Sequence, residues 1–129
     1  MRANITQRSP FRVRFWGVRG SYPTSERNTL AFGGHTSCVE VQVAGHHLIF
    51  DAGTGIIALG EKLVNDGMDS RNVHLFLSHT HHDHIFGLYF FQPLFRPGSR
   101  VSIFGPGSSG RSLKSTLQTV MEPRFFQSS

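Results

Sequence analysis

The stretch Val73-His74-Leu75-Phe76-Leu77-Ser78-His79-Thr80-His81-His82-Asp83-His84 decides how the rest of the chain is read. Its first half sends Val73, Leu75 and Leu77 one way and Phe76 the other, the pattern of a central strand covered on both faces. Its second half packs four imidazoles and a carboxylate into six residues. In an extended chain positions i, i+2 and i+4 share a side, so His79, His81 and Asp83 converge on one point. Neutral imidazoles and carboxylates hold Zn²⁺ in catalytic sites, and the C-terminal end of a strand is where α/β folds place ligands. His84 is out of phase with those three unless the chain turns into a helix there, in which case Asp83 and His84 address a second metal beside the first. The spacing differs from the helical H-E-x-x-H pattern. An expression tag would be terminal and uniform, and a solvated loop or a set of core histidines does not explain so many ligand side chains straight after a buried strand. Metal binding is the expectation.

Upstream, Phe11, Val13 and Phe15 alternate with Arg12 and Arg14 in a half-buried strand over 11–16, and Gly17, Gly20, Pro23, Gly33 and Gly34 mark a loop over 17–34. A second strand is expected at 37–43, with Val39, Val41 and Val43 inward and Glu40 and Gln42 outward. A turn at Gly45 joins it as a hairpin to a third strand at 47–51. After Asp51-Ala52-Gly53-Thr54-Gly55, the spacing of Ile56, Leu59 and Leu63 predicts a helix over about 55–66. Downstream of the histidines, 84–91 reads as a helix stopping before Pro93, with Phe86, Tyr89, Phe90, Phe91 and Phe95 read as core packing rather than a base-stacking surface. A strand at 100–104 and a helix at 111–122, striped by Leu113, Leu117, Val120 and Met121, complete a layered α/β sandwich. Gly105 to Ser112 approaches a phosphate-binding loop, but Arg111 stands where that loop has lysine and Pro106 removes an amide donor, so a β-to-α connection is expected.

The chain has 129 residues, 38% of them hydrophobic, enough for one buried core. No run approaches the ~18 uninterrupted apolar residues of a membrane span, and arginines occupy the place of a leader's apolar segment, so a cytoplasmic protein with no membrane association is expected. The one cysteine, Cys38, is expected in a buried strand and excludes an intrachain disulfide framework. The net charge of +5 belongs to Arg2, Arg8, Arg12, Arg14 and Arg19, with the remainder of the chain neutral. A nucleic-acid contact through this basic segment is a further reading, and it predicts affinity that falls steeply with salt.

The run H-x-H-x-D-H at 79–84 resembles the signature of the metallo-β-lactamase superfamily of metal-dependent hydrolases. Together with Phe15-Trp16-Gly17-Val18-Arg19-Gly20, Gly33-Gly34-His35-Thr36-Ser37-Cys38 and Phe50-Asp51-Ala52-Gly53-Thr54-Gly55, it is similar to the branch of ribonuclease Z-like and cyclic-nucleotide phosphodiesterase-like proteins. Residues 1–10 read as a flexible lead-in ending at Pro10, and the resemblance implies an αββα sandwich of which this chain carries the first half, the N-terminal part of one domain at 11–129. It implies that His79 and His81 ligate a first metal, Asp83 and His84 a second, and that Asp51 supports the metal loop from behind. His82 is not expected to be a ligand; His35 could face a substrate, and His46, His47 and His74 are read as turn or strand residues.

The activity implied is hydrolysis of a small-molecule or nucleotide phosphodiester at a dinuclear site, with two Zn²⁺ per complete site and Mn²⁺ or Fe²⁺ also compatible with the donors. Asp83 is the implied catalytic residue, orienting the water and accepting a proton. The family's second half supplies further His and Asp ligands, and no His or Asp follows Met121. The alternative is therefore an inactive metal-binding half-domain, truncated or needing a partner chain, whose exposed sheet face favours a homodimer.

Overall fold

The computed structural model describes residues 10–122, so the lead-in expected at 1–10 lies, apart from Pro10, outside the described residues. Five strands form one sheet in sequence order: β1 (Arg12–Gly17), β2 (Cys38–Val43), β3 (His46–Phe50), β4 (Val73–Phe76) and β5 (Ser102–Phe104). The first three are antiparallel neighbours, whereas β3, β4 and β5 run parallel. Ala44 and Gly45 close the β2–β3 hairpin at φ 49° and 78°, the positive values that a two-residue primed turn needs to match strand twist.

Parallel neighbours require crossovers, and helix α1 (Ile56–Asn65) supplies the first. It buries Ile56, Leu59 and Leu63 and ends where Gly67, at φ 67°, lets Gly67 N–H reach Val64 O and Met68 N–H reach Leu63 O. Helix α2 (His82–Ile85) follows β4 and passes into tight turns at Phe86–Phe90 and Gln92–Phe95. Helix α3 (Leu113–Val120) is capped by Ser112 Oγ, which accepts from Ser115 N–H. The segment expected as one helix over 84–91 is thus a single helical turn extended by 3₁₀ turns. Of the aromatics expected as core packing between 86 and 95 only Phe91 is fully buried, while Phe86, Phe90 and Phe95 are exposed.

The core lies on the helix-covered face, where Cys38, Ile49, Leu75 and Leu77 meet Ile56, Leu59, Ile85, Leu88 and Phe91. Leu113, Leu117, Val120 and Met121 pack against it as the α3 stripe predicts. The phase of β2 differs from the expectation. Cys38 and Glu40 are buried among the core residues, at 0% and 1% exposure, and Val39, Val41 and Val43 lie on the other face. Glu40 is stable inside because Trp16 Nε1 donates to it at 2.8 Å and Gln42 Nε2 at 3.0 Å, with His47 Nδ1 2.5 Å away.

The opposite face of the sheet is apolar and open. Phe15, Val39, Phe50, Phe76 and Phe104 occupy successive register positions across all five strands. Phe50, Phe76 and Phe104 stack at ring spacings of 5.4 and 5.1 Å, yet Phe15, Phe50 and Phe104 remain 67%, 43% and 49% exposed. The expectation that the strand at 73–78 is covered on both sides is therefore met only on the Leu75 side. Among the described residues no helix is long and apolar enough to cross a membrane.

Candidate metal centre

Two loops at the C-terminal ends of β3 and β4 build the site, and the backbone zips them together. Ala52 N–H donates to His84 O at 2.8 Å and Gly87 N–H to Ala52 O at 2.9 Å. Gly53 and Gly87 permit the approach, since a Cβ at Gly87 would lie 2.1 Å from Gly53 O and one at Gly53 2.4 Å from Asp83 O. Asp51 sits at the hinge in the left-handed region, φ 63°. The Thr36 and Thr54 hydroxyls fasten the neighbouring glycine loop by accepting from each other's backbone N–H, at 2.8 and 2.9 Å.

The chain leaves the extended conformation at His82, so the turn allowed for at His84 is the one observed. His79, His81 and Asp83 consequently do not converge on one point. Among the described residues no group of three or more His, Cys, Asp or Glu is placed to hold a metal. Donor atoms come in pairs instead. His79 Nε2 lies 3.1 Å from His81 Nδ1, and His84 Nε2 lies 3.3 Å from Asp83 Oδ2. Two ligands at about 2.0–2.1 Å from a tetrahedral ion stand roughly 3.3 Å apart, so each pair has the bite of a shared divalent ion. The His79 and His84 rings, 4.2 Å between centroids, hold the two pairs side by side.

Behind the pairs lies Asp51, 9% exposed. Its Oδ1 accepts from Ser78 N–H at 2.8 Å, and both its oxygens lie 2.9 Å from Ser78 Oγ. Asp51 Oδ2 is also 2.9 Å from His84 Nδ1, off the line of a good hydrogen bond, so that buried nitrogen has no hydrogen-bond partner. Asp83 is held from the far side by the Ser21 N–H at 3.1 Å, with Ser21 itself at φ 70°. Burial pushes the Asp83 carboxyl upward, but the Ser21 amide and the charges of His84 and His79 outweigh it and hold the group below the ordinary carboxylate range.

The other histidines lie elsewhere. His82 is exposed on α2, His35 sits on the glycine loop with Nδ1 3.2 Å from Thr54 Oγ1, His47 belongs to the Glu40 cluster, and His46 pairs with His74 at 3.1 Å. Cys38 is buried, and burial pushes its thiol far above the ordinary range, as inert packing requires. In the glycine-rich loop after β5, Ser108 and Arg111 bond each other's backbone at 3.0 and 2.9 Å, so this segment closes on itself as a turn. Sequence reasoning missed Ser78 and Ser21. Adjacency to the first histidine marks Ser78, whereas nothing local marks Ser21, 62 residues from its partner.

A comparison with protein families matches residues 31–104, more than half of the chain, to the metallo-beta-lactamase superfamily. Ribonuclease Z of Haloarcula marismortui is 35% identical over 77 residues, covering 60% of this chain and 22% of that protein. Ribonuclease Z of Picrophilus torridus is 31% identical over 116 residues, covering 87% of this chain and 34% of that protein. The crystal structure of human tRNase Z, short form, superposes with a TM-score of 0.56 at 26% identity, over 89% of this chain and 41% of that one. The chain thus spans between about a fifth and two-fifths of the length of these relatives. With a mixed sheet, His and Asp side chains gathered at its strand ends and a family match over more than half of its length, the chain belongs to the metallo-β-lactamase superfamily and is similar to ribonuclease Z proteins.

Proposed function

We propose that this chain contributes the metal-binding half of a metal-dependent phosphodiesterase acting on RNA. The observation that carries the reading is the pairing of donors at 3.1 and 3.3 Å beside one another. The RNA substrate is supported by the relatives' names, ribonuclease Z and tRNase Z. On this reading His79 Nε2 and His81 Nδ1 hold one divalent ion, and Asp83 and His84 Nε2 hold a second. The donor set suits Zn²⁺ first, with Mn²⁺ and Fe²⁺ also accepted. Such ions, when bound, lower the pKa of water toward neutrality and offset charge on phosphoryl oxygens.

The chain's own residues do the positioning. Asp83, ionised and fixed by Ser21 N–H, keeps an acceptor oxygen beside His84 and so orients the attacking water and takes its proton. Asp51 stiffens the pairs from behind through Ser78 and beside His84. Two donors per ion fall short of the three protein ligands of a catalytic zinc, so the reading requires further donors from another polypeptide segment. Zinc titration followed by calorimetry tests it. Binding of two ions per chain, with one lost in His81→Ala, is expected, together with cleavage of a labelled tRNA transcript above the His81→Ala background once the missing donors are supplied. Equal zinc binding by the variant would sink the assignment.

The open sheet face favours a second reading, in which this chain alone is an inactive metal-binding half-domain that associates with a copy of itself. Phe15, Phe50, Phe76 and Phe104 form a continuous apolar row of the kind that soluble monomers cover. Sedimentation is expected to show self-association that Phe50→Ser with Phe76→Ser abolishes; a compact monomer at every concentration rules it out.

A further inference from the structure

We propose that Ser78 is a positioning residue that fixes the tautomer of His79, an inference that rests on the metal-centre reading above. A serine hydroxyl has one proton to give and two lone pairs to offer. Its oxygen lies 2.9 Å from both oxygens of Asp51 and donates toward them, so the single proton is committed there. Toward His79 Nδ1, also 2.9 Å away, Ser78 Oγ then presents only a lone pair. Nδ1 must therefore carry the ring proton. A neutral imidazole has one such proton, so Nε2 is left with its lone pair bare. Nε2 is the nitrogen 3.1 Å from His81 Nδ1, at the mouth of the first donor pair. The opposite tautomer would set two lone pairs against each other at Ser78 and place a proton where the ion is to bind.

Asp51 thus reaches His79 through this hydroxyl, whereas it lies beside His84 directly. The arrangement also separates support of the loop from control of the ring. Ser78 N–H binds Asp51 Oδ1 at 2.8 Å on its own, so Ser78→Ala keeps the loop anchored while deleting the relay. Ser78→Thr keeps the hydroxyl. Neither substitution touches a donor atom of either pair.

The test is ¹⁵N–¹H correlation of the histidine side chains of the metal-free protein near pH 8, above the usual imidazole titration, followed by zinc titration. His79 is expected to be the Nδ1–H tautomer in the wild type and in Ser78→Thr, and to shift toward Nε2–H in Ser78→Ala. Zinc affinity of Ser78→Ala is expected to fall about 10–100-fold, the loss typical of a deleted outer partner, with recovery in Ser78→Thr. A wild-type His79 found as Nε2–H overturns the inference without any variant. So does a Ser78→Ala protein whose His79 tautomer is unchanged. Failure of the wild type to bind zinc would instead remove the metal-centre reading, because the metal-free tautomer still reports on Ser78.

Discussion

Replacing Glu40 by Gln probes the least expected feature of the core, a carboxylate 1% exposed beneath the helices. Burial alone would push this group up. Hydrogen bonding from His47, Gln42 and Trp16 reverses that and brings it from an ordinary 4.5 down to about 2. A displacement of that size corresponds to about 3 kcal/mol of stability, and near-complete burial leaves little for solvent screening to remove. Glutamine matches the shape but has a single acceptor oxygen. If that oxygen serves Gln42 and His47, its amide N–H₂ confronts the Trp16 N–H, which at 2.8 Å has nowhere else to turn. Glu40→Gln is therefore expected to lose about 2–3 kcal/mol at neutral pH. Because the folded carboxyl titrates below the unfolded one, its contribution is complete above about pH 4.5 and drains away as pH falls toward 2. The gap between wild type and variant should narrow over that window, since a protonated Glu40 offers the same single carbonyl as glutamine. Urea unfolding at neutral pH and at about pH 3 measures both quantities. A gap below about 0.5 kcal/mol at neutral pH, or one that does not change with pH, would refute the buried-acid account.

Two further perturbations address how the site is held. Gly87→Ala puts a Cβ 2.1 Å from Gly53 O and 2.5 Å from Ile56 Cγ2, so the turn at Phe86–Phe90 must part from the Asp51 loop. We expect a loss of about 1–3 kcal/mol by urea unfolding together with weakened zinc binding, and unchanged stability would show that the two loops are not tightly zipped. Phe91→Ala empties the largest fully buried side chain, which lies against Gly60 of α1. A loss of about 3–5 kcal/mol is expected, and a loss under about 1 kcal/mol would mean that the turn at Gln92–Phe95 collapses into the space.

Much of this molecule is legible in its sequence because its signals are local. Period-two alternation located β1 to β3, helical spacing located α1 and α3, and the density of His and Asp within six residues marked the segment of the candidate centre, although local spacing suggested three converging donors and only the family resemblance implied pairs. What local pattern could not convey is which side of the sheet the helices cover. Residues 38–43 carry Cys38 and Glu40 on one side and three valines on the other, so hydropathy alone favours the valines. The decision is made by Trp16, Gln42 and His47, whose donors converge on Glu40 from three strands and turn a buried charge from a cost into a contribution. The centre divides in the same way. His79 to His84 announce themselves, but their aim is set by Asp51 from 27 residues before Ser78 and by Ser21 from 62 residues before Asp83. A serine or a backbone amide has no chemical signature of its own, and it becomes part of the centre only when the fold puts it 2.9 or 3.1 Å from a group that needs a partner. The donors can thus be read from the chain, whereas the supports that choose tautomer and orientation are properties of the fold.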